Sequence, residues 1–245
     1  MRQYGLIGFP LSHSFSQKYF SEKFLRDNIK DAEFLNFSLP EIDDVENVFK
    51  DHPQLKGLAV TIPYKKSVIK YLDETDDVVK KISACNCIKI TALKKIGFNT
   101  DIAGFERSFV KNLKPIHKKA LVLGTGGASV AVEFVLAKLG IEYLLVSRQV
   151  SGKAISYDDI NAEILNNHNI IINCTPVGTF PNTDEAPALP YNLLGSHHYL
   201  FDLVYNPPLT KFLGYGKQAG CIIQNGYEML IIQAEENWRL WNGSD

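Results

Sequence analysis

The chain has 245 residues, 45% apolar and 22% charged, with a formal net charge of −1. That length and composition suit a packed soluble protein of two modest domains. A near-neutral balance gives no general electrostatic case for nucleic acid or an anionic membrane, and no apolar run reaches the roughly 18 residues that a spanning helix needs.

Residues 3–8 are a strand candidate ended by Gly8-Phe9-Pro10, and residues 14–29 carry Phe15, Tyr19, Phe20 and Phe24 at helical spacing. Residues 33–37 read as a strand, 41–49 as a helix, and 55–62 as a strand stopped by Pro63. Short helices are expected over 65–72 and 77–82, and strands over 86–90 and 96–98. This alternation predicts an α/β sheet with helices on it. A module boundary is expected near 99–101, where Asp101 suits the N-cap of a helix over 102–112. The second half resumes a βαβ rhythm: strand 120–123, helix 130–139 stopped by Gly140, and strand 141–146. Further strands are expected over 170–173, 199–203 and 221–224, with a helix over 209–219 and an amphipathic helix over 227–241.

The most informative segment is Gly124-Thr125-Gly126-Gly127-Ala128-Ser129, set between a strand and a helix. Glycines let a backbone approach phosphates, and the helix N-terminus offers unpaired N–H groups and a positive dipole end. The competing reading is a plain tight turn, since Ser129 stands at the third glycine position of G-x-G-x-x-G. The next strand ends Ser147-Arg148-Gln149, where a site for NAD would place an acid on the ribose, and no acid follows until Asp158. Arg148 suits a 2′-phosphate, so NADP is the expected cofactor; the competing reading of that residue alone is a solvated surface arginine. Asn173-Cys174-Thr175-Pro176 ends another strand, and Thr175 either lines the cofactor or satisfies its own turn.

More than 110 residues precede that loop, so the substrate side of the chemistry is expected upstream. Ser14 and Ser16 lie at a loop-to-helix junction, where hydroxyls and free N–H groups grip a carboxylate or simply cap the helix. Lys65 follows a strand and a proline turn, and is either a cleft residue or a surface solubiliser. Asp101 is a cap or a functional carboxylate. The four cysteines read as reduced, packed thiols; Cys85 and Cys87 form a lone C-x-C, and the histidines are scattered, so no metal is assigned. Met1-Arg2-Gln3-Tyr4 begins no signal peptide, and the expected compartment is the cytoplasm.

Seven segments in order resemble the shikimate dehydrogenase family: residues 8–16 (GFPLSHSFS), 60–65 (VTIPYK), Asn86, 97–101 (GFNTD), 124–129 (GTGGAS), 202–207 (DLVYNP), and Gly226 through Met229 to Gln233. The resemblance runs from residue 5 to about 234. It implies a substrate-binding domain over 1–100, a Rossmann NADP-binding domain over 101–225, and a C-terminal helix over 226–245 that returns to the first domain. The implied reaction is the reversible NADPH-dependent reduction of 3-dehydroshikimate to shikimate, in aromatic amino-acid (chorismate) biosynthesis. By the same resemblance, Ser14 and Ser16, helped by Tyr205, hold the substrate carboxylate. Thr61, Asn86, Asp101 and Gln233 bond the ring hydroxyls, and Lys65, paired with Asp101, sits beside the oxygen that changes oxidation state. Gly124, Gly126, Gly127 and Ala128 cradle the pyrophosphate, Arg148 takes the 2′-phosphate, Thr175 lines the cofactor, and Met229 lies near the nicotinamide. The expected partners are small molecules, with no nucleic acid or membrane, and the expected assembly is a monomer or homodimer.

Five positions depart from the family pattern. Ala59 replaces an Asn before the Val-Thr pair, Gln17 replaces a Pro, and Ile102 replaces a Gly after Asp101. Arg148 is flanked by Ser147 and Gln149, and Glu228 replaces a frequent Gly before Met229. The alternatives are a quinate/shikimate dehydrogenase using NAD or both cofactors, and a non-catalytic sensor of pathway metabolites.

Overall fold

The computed structural model describes residues 1–11, 15–149, 152 and 154–243. The chain forms two compact units, one made of Met1–Thr100 with Gln233–Asp245, the other of Asp101–Ile232.

In the first unit the elements are β1 (Arg2–Gly8), α1 (Phe15–Arg26), β2 (Ala32–Ser38), a 3-10 turn leading into α2 (Val45–Asp51), and β3 (Leu55–Val60). A 3-10 helix (Ser67–Tyr71), β4 (Glu74–Thr75), α3 (Asp77–Ile82), β5 (Cys87–Ile90) and β6 (Lys95–Phe98) follow. The sheet order is β2-β1-β3-β5-β6-β4. Strands β2, β1 and β3 run parallel, while β5 is antiparallel to both β3 and β6. Parallel strands are covered on both faces, so β1 and β3 read as near-continuous apolar runs, and Leu6, Ile7, Leu58, Ala59 and Val60 are all buried. The expected helix over 65–72 is instead a turn followed by the 3-10 helix. Tyr64 N–H donates to the Thr61 carbonyl (2.9 Å), and the turn over residues 62–66 takes up the first two positions of the expected helix. β4 has only two residues and leaves no periodic trace in the sequence.

The second unit opens with α4 (Asp101–Phe109), which tightens to a 3-10 turn over Val110–Asn112. It continues with β7 (Lys119–Leu123), α5 (Ser129–Lys138), β8 (Glu142–Val146), α6 (Ala162–Asn167), β9 (Ile170–Asn173), β10 (Tyr199–Asp202), α7 (Lys211–Gln218), β11 (Ile222–Asn225) and α8 (Tyr227–Asn242). Five parallel strands lie in the order β11-β10-β9-β7-β8, a Rossmann-like doubly wound sheet. From β7 the chain goes first to β8 on one side and then to β9 on the other. Ligands bind such sheets at this reversal, outside the carboxyl ends of the strands. The core is aliphatic around Leu121, Leu123, Ile171, Leu200 and Phe212, with a ring stack of Phe105, Phe109, Tyr199 and Phe201 under α4.

Helix α8 begins in the second unit, and its residues from Gln233 onward belong to the first. There Ala234 and Trp241 join Tyr4, Phe20, Phe24 and Phe34 in one apolar cluster. The Trp241 indole N–H donates to the Ile88 carbonyl at 3.0 Å.

Candidate active site

In the second unit the glycine loop leaves β7 at the sheet reversal. Gly124 has φ +96°, a left-handed conformation that glycine alone adopts without strain, and a Cβ placed there would lie 2.8 Å from Thr175 Cγ2. A Cβ at Gly126 or Gly127 meets no described atom within 4 Å, which leaves open space above the loop for an approaching ligand. Ala128 precedes α5 with no side-chain cap, and the first N–H of the helix, that of Ser129, donates to the Gly126 carbonyl at 3.1 Å. Ser129 Oγ donates back to the Gly126 carbonyl at 2.9 Å and holds the loop's end. Arg148 is exposed just past the end of β8. Open glycines, a helix N-terminus without a side-chain cap and an exposed guanidinium fit a phosphorylated dinucleotide.

Thr175 is fixed from below. Its N–H and its hydroxyl both donate to Asn173 Oδ1, at 3.0 and 2.6 Å. Asn173 Nδ2 donates in turn to Asp202 Oδ1 at 2.9 Å, and Asp202 also accepts from Val204 N–H (3.0 Å) and the Thr210 hydroxyl (2.6 Å). Asn173 and Asp202 are fully buried, and burial pushes the Asp202 carboxyl up to about 6 against the opposing pull of its hydrogen bonds to Thr210, Val204 and Asn173. Burial likewise raises the Cys174 thiol.

In the first unit a second polar cluster lies at the start of β5. The Asn86 side chain is buried; its Oδ1 accepts from Thr100 N–H (2.7 Å), and its Nδ2 donates to Gln233 Oε1 at 3.2 Å. Thr100 Oγ1 lies 2.7 Å from Asn237 Oδ1 and donates to it. With its Oε1 held by Asn86, Gln233 presents its amide N–H groups as donors. Cys85 N–H donates to the Lys65 carbonyl at 2.7 Å, so the turn bearing Lys65 is tied to the residue preceding Asn86. Thr61 N–H donates to the Ile7 carbonyl at 2.9 Å, which holds Thr61 beside β1. Lys65 is half-buried, and Ser16 lies half-buried in the first turn of α1. Ser14 falls outside the described residues.

Asp101 opens α4 as its first residue, one place inside the N-cap position that the sequence predicts. The Thr100 N–H just before it is held by Asn86 Oδ1. Tyr205 is half-buried in the second unit, with its phenol raised by burial, and Met229 is buried in the first turns of α8. Ala59 packs in the apolar cluster with Tyr4, Cys87 and Trp241. Glu228 is ion-paired with Lys111, which offsets the negative charge it adds. Among the described residues no group of His, Cys, Asp or Glu is placed to hold a metal. The sequence individually singles out none of Thr100, Asn237, Thr210 and Asp202, and places Asn173 only among the turn residues that line the cofactor or satisfy the turn. The available signal was a polar residue closing each of two apolar strands, IIIN and YLFD.

Residues 6–88 match the family model of the shikimate dehydrogenase substrate binding domain. A shikimate dehydrogenase (NADP(+)) of Methanococcus maripaludis strain C6 is 37% identical over 256 residues, spanning 98% of this chain and 91% of the relative. The chain belongs to the shikimate dehydrogenase family. Among solved structures, a shikimate dehydrogenase in complex with NADP+ superposes with a TM-score of 0.89 at 31% identity, over 100% of this chain and 91% of that one. The Thermus thermophilus family member, in complex with NADP(H) and shikimate, gives 0.87 at 26% identity, over 100% and 94%. Family membership makes the chain an oxidoreductase acting on a CH–OH group.

Proposed function

We propose that this chain catalyses the reversible NADPH-dependent reduction of 3-dehydroshikimate to shikimate. The observation that carries the reading is the bond between buried Asn86 and half-buried Gln233, which presents amide donors beside the turn of Lys65 in the unit that matches the substrate-binding family model. When bound, NADPH supplies the hydride. Reduction builds negative charge on the carbonyl oxygen, and the Lys65 ammonium stabilises that charge and delivers the proton. Asp101 orients the lysine and accepts a hydrogen bond from the neighbouring hydroxyl. Asn86, Thr61 and Gln233 fix the ring by its hydroxyls, while Ser14, Ser16 and Tyr205 take the carboxylate. The loop from Gly124 to Ala128 would hold the pyrophosphate, Arg148 the 2′-phosphate, and Thr175 and Met229 the remainder of the cofactor.

The lack of an acid at Ser147-Arg148-Gln149 supports NADP over NAD. The protein works on small molecules as a monomer or homodimer in the cytoplasm. Free cysteines agree with a reducing compartment, and none of the described helices is long and apolar enough to cross a membrane. The test follows nicotinamide absorbance with purified protein, pairing shikimate or quinate with NADP+ or NAD+. Rapid NADP+ reduction with shikimate alone is expected, and Arg148→Ala is expected to raise the KM for NADP+ by about tenfold or more through loss of a charge-assisted contact. Equal use of NAD+ or quinate overturns the specificity, and binding of shikimate without turnover overturns the enzyme reading.

A further inference from the structure

We propose that Asp202 and Asn173 are positioning residues for the cofactor, forming a buried relay that sets the Gly124 turn through Thr175. The inference rests on the NADP-binding reading above and adds residues that do not themselves reach the cofactor.

The relay follows from sheet register. Leu123, Asn173 and Asp202 stand side by side at the carboxyl ends of β7, β9 and β10, as register partners in adjacent parallel strands. The strands IIIN and YLFD are apolar until their last residue, and that residue is polar in both. Asn173 and Asp202 are fully buried, and Thr210 is 1% exposed, so none of them is an ordinary solvated turn residue. No ion pair of Asp202 occurs among the described residues. Its oxygens are held by the Thr210 hydroxyl, Val204 N–H and Asn173 Nδ2. A charge or carboxyl in that setting is costly unless its hydrogen bonds do something for the fold or the site.

The carboxamide of Asn173 is spent entirely on protein. Nδ2 donates to Asp202 and, more weakly, to the Val177 carbonyl at 3.5 Å; Oδ1 accepts both Thr175 groups. Asp202 therefore dictates which way the amide faces. With Nδ2 turned to the carboxylate, Oδ1 must face Thr175. That acceptor locks the Thr175 hydroxyl, leaving its methyl against the face of Gly124, where no Cβ fits. Gly124 N–H is meanwhile held by the Val146 carbonyl at 2.8 Å, so the turn is gripped from β8 on one side and from the relay on the other. The contacts cross the sheet at its reversal, the place where a dinucleotide's phosphates approach.

The test measures NADP+ and shikimate affinities separately by calorimetry, on the whole chain, together with KM and kcat. The wild-type protein is titrated first; failure to bind NADP+ overturns the cofactor reading itself. Given wild-type binding, Asp202→Leu, which removes both acceptors, and Asn173→Asp, which sets a carboxylate against a carboxylate, are each expected to weaken NADP+ by about tenfold to a hundredfold, with KM for NADP+ rising more than kcat falls and shikimate affinity within about twofold. The double variant D202N/N173D again faces an amide donor to a carboxylate but leaves the Val204 N–H without its acceptor, so recovery of part of the N173D loss is expected. Thr210→Val, which removes the far end of the relay together with the N-cap acceptor of α7, covers the case in which a single variant fails to fold; about threefold to tenfold weaker NADP+ is expected. Unchanged NADP+ affinity in the folded variants, or an N173D loss that the swap does not recover even in part, overturns the relay.

Discussion

In the proposed reaction Lys65 is the residue on which the chemistry turns, because a ketone reduced by hydride needs both a positive charge and a proton at its oxygen. Lys65→Ala is expected to lower kcat by about 10²- to 10⁴-fold while shikimate affinity stays near that of the wild type. Single-turnover and binding measurements check this, and near-normal turnover removes Lys65 from the mechanism. At the same scale Asp202 makes a prediction about pH. Its carboxyl is raised from 3.8 to about 6 in the fold, chiefly by burial, so between those values the folded protein binds a proton that the unfolded chain does not. Stability from this group accordingly increases as pH falls from about 6 towards 4, by at most about 3 kcal/mol. Urea unfolding across that range should show the gap between wild type and Asp202→Asn widening towards acid. A gap that stays constant with pH means that Asp202 titrates as an ordinary carboxylate.

The glycine loop shows how an element divides its tasks among residues of one type. Gly124 is required by the backbone, with φ +96° and the Thr175 methyl against it, whereas Gly126 and Gly127 face open space. Gly124→Ala is therefore expected to destabilise the protein by about 1–3 kcal/mol, from left-handed strain and the close contact. Gly126→Ala should leave stability within about 0.5 kcal/mol and weaken NADP+ binding instead, since the added methyl occupies the ligand's path. Thermal unfolding and cofactor titration of both variants separate the two effects; equal loss of stability in both would contradict this division. Helix α4 makes a related point. Its first residue is Asp101, and the N–H of Thr100 just before it is held by Asn86, 14 residues earlier in the chain, a bond that no local pattern contains.

Across the whole molecule, the chain passes from the first unit to the second between Thr100 and Asp101 and returns between Ile232 and Gln233. The returning part of α8 completes the first unit's core and supplies Gln233 and Asn237 to its polar cluster. Gly57 accommodates this: a Cβ there would stand 2.1 Å from Trp241 Cδ1. Trp241 is 5% exposed, and Trp241→Ala is expected to cost about 3–5 kcal/mol. Denaturant unfolding measures it; a loss below about 1 kcal/mol shows that the helix end is not part of the core.

The sequence by itself determined the α/β class, the strand–glycine loop–helix and most of the strands, because these rest on periodicity, glycine placement and apolar runs that act over a few residues. It also determined the family, since seven short segments in fixed order carry it. The short strand β4, which exists through its pairing with β6, was decided by tertiary hydrogen bonds with no local signature. So were the partners of Asn86, which lie 14 and 147 residues away in the chain. The same holds for the Asp202–Asn173–Thr175 relay. Strand register alone sets Asp202 beside Asn173, and burial gives their hydrogen bonds their weight. A pattern along the chain records which face a residue turns to the core, but which residue stands opposite it is fixed only when the sheet closes.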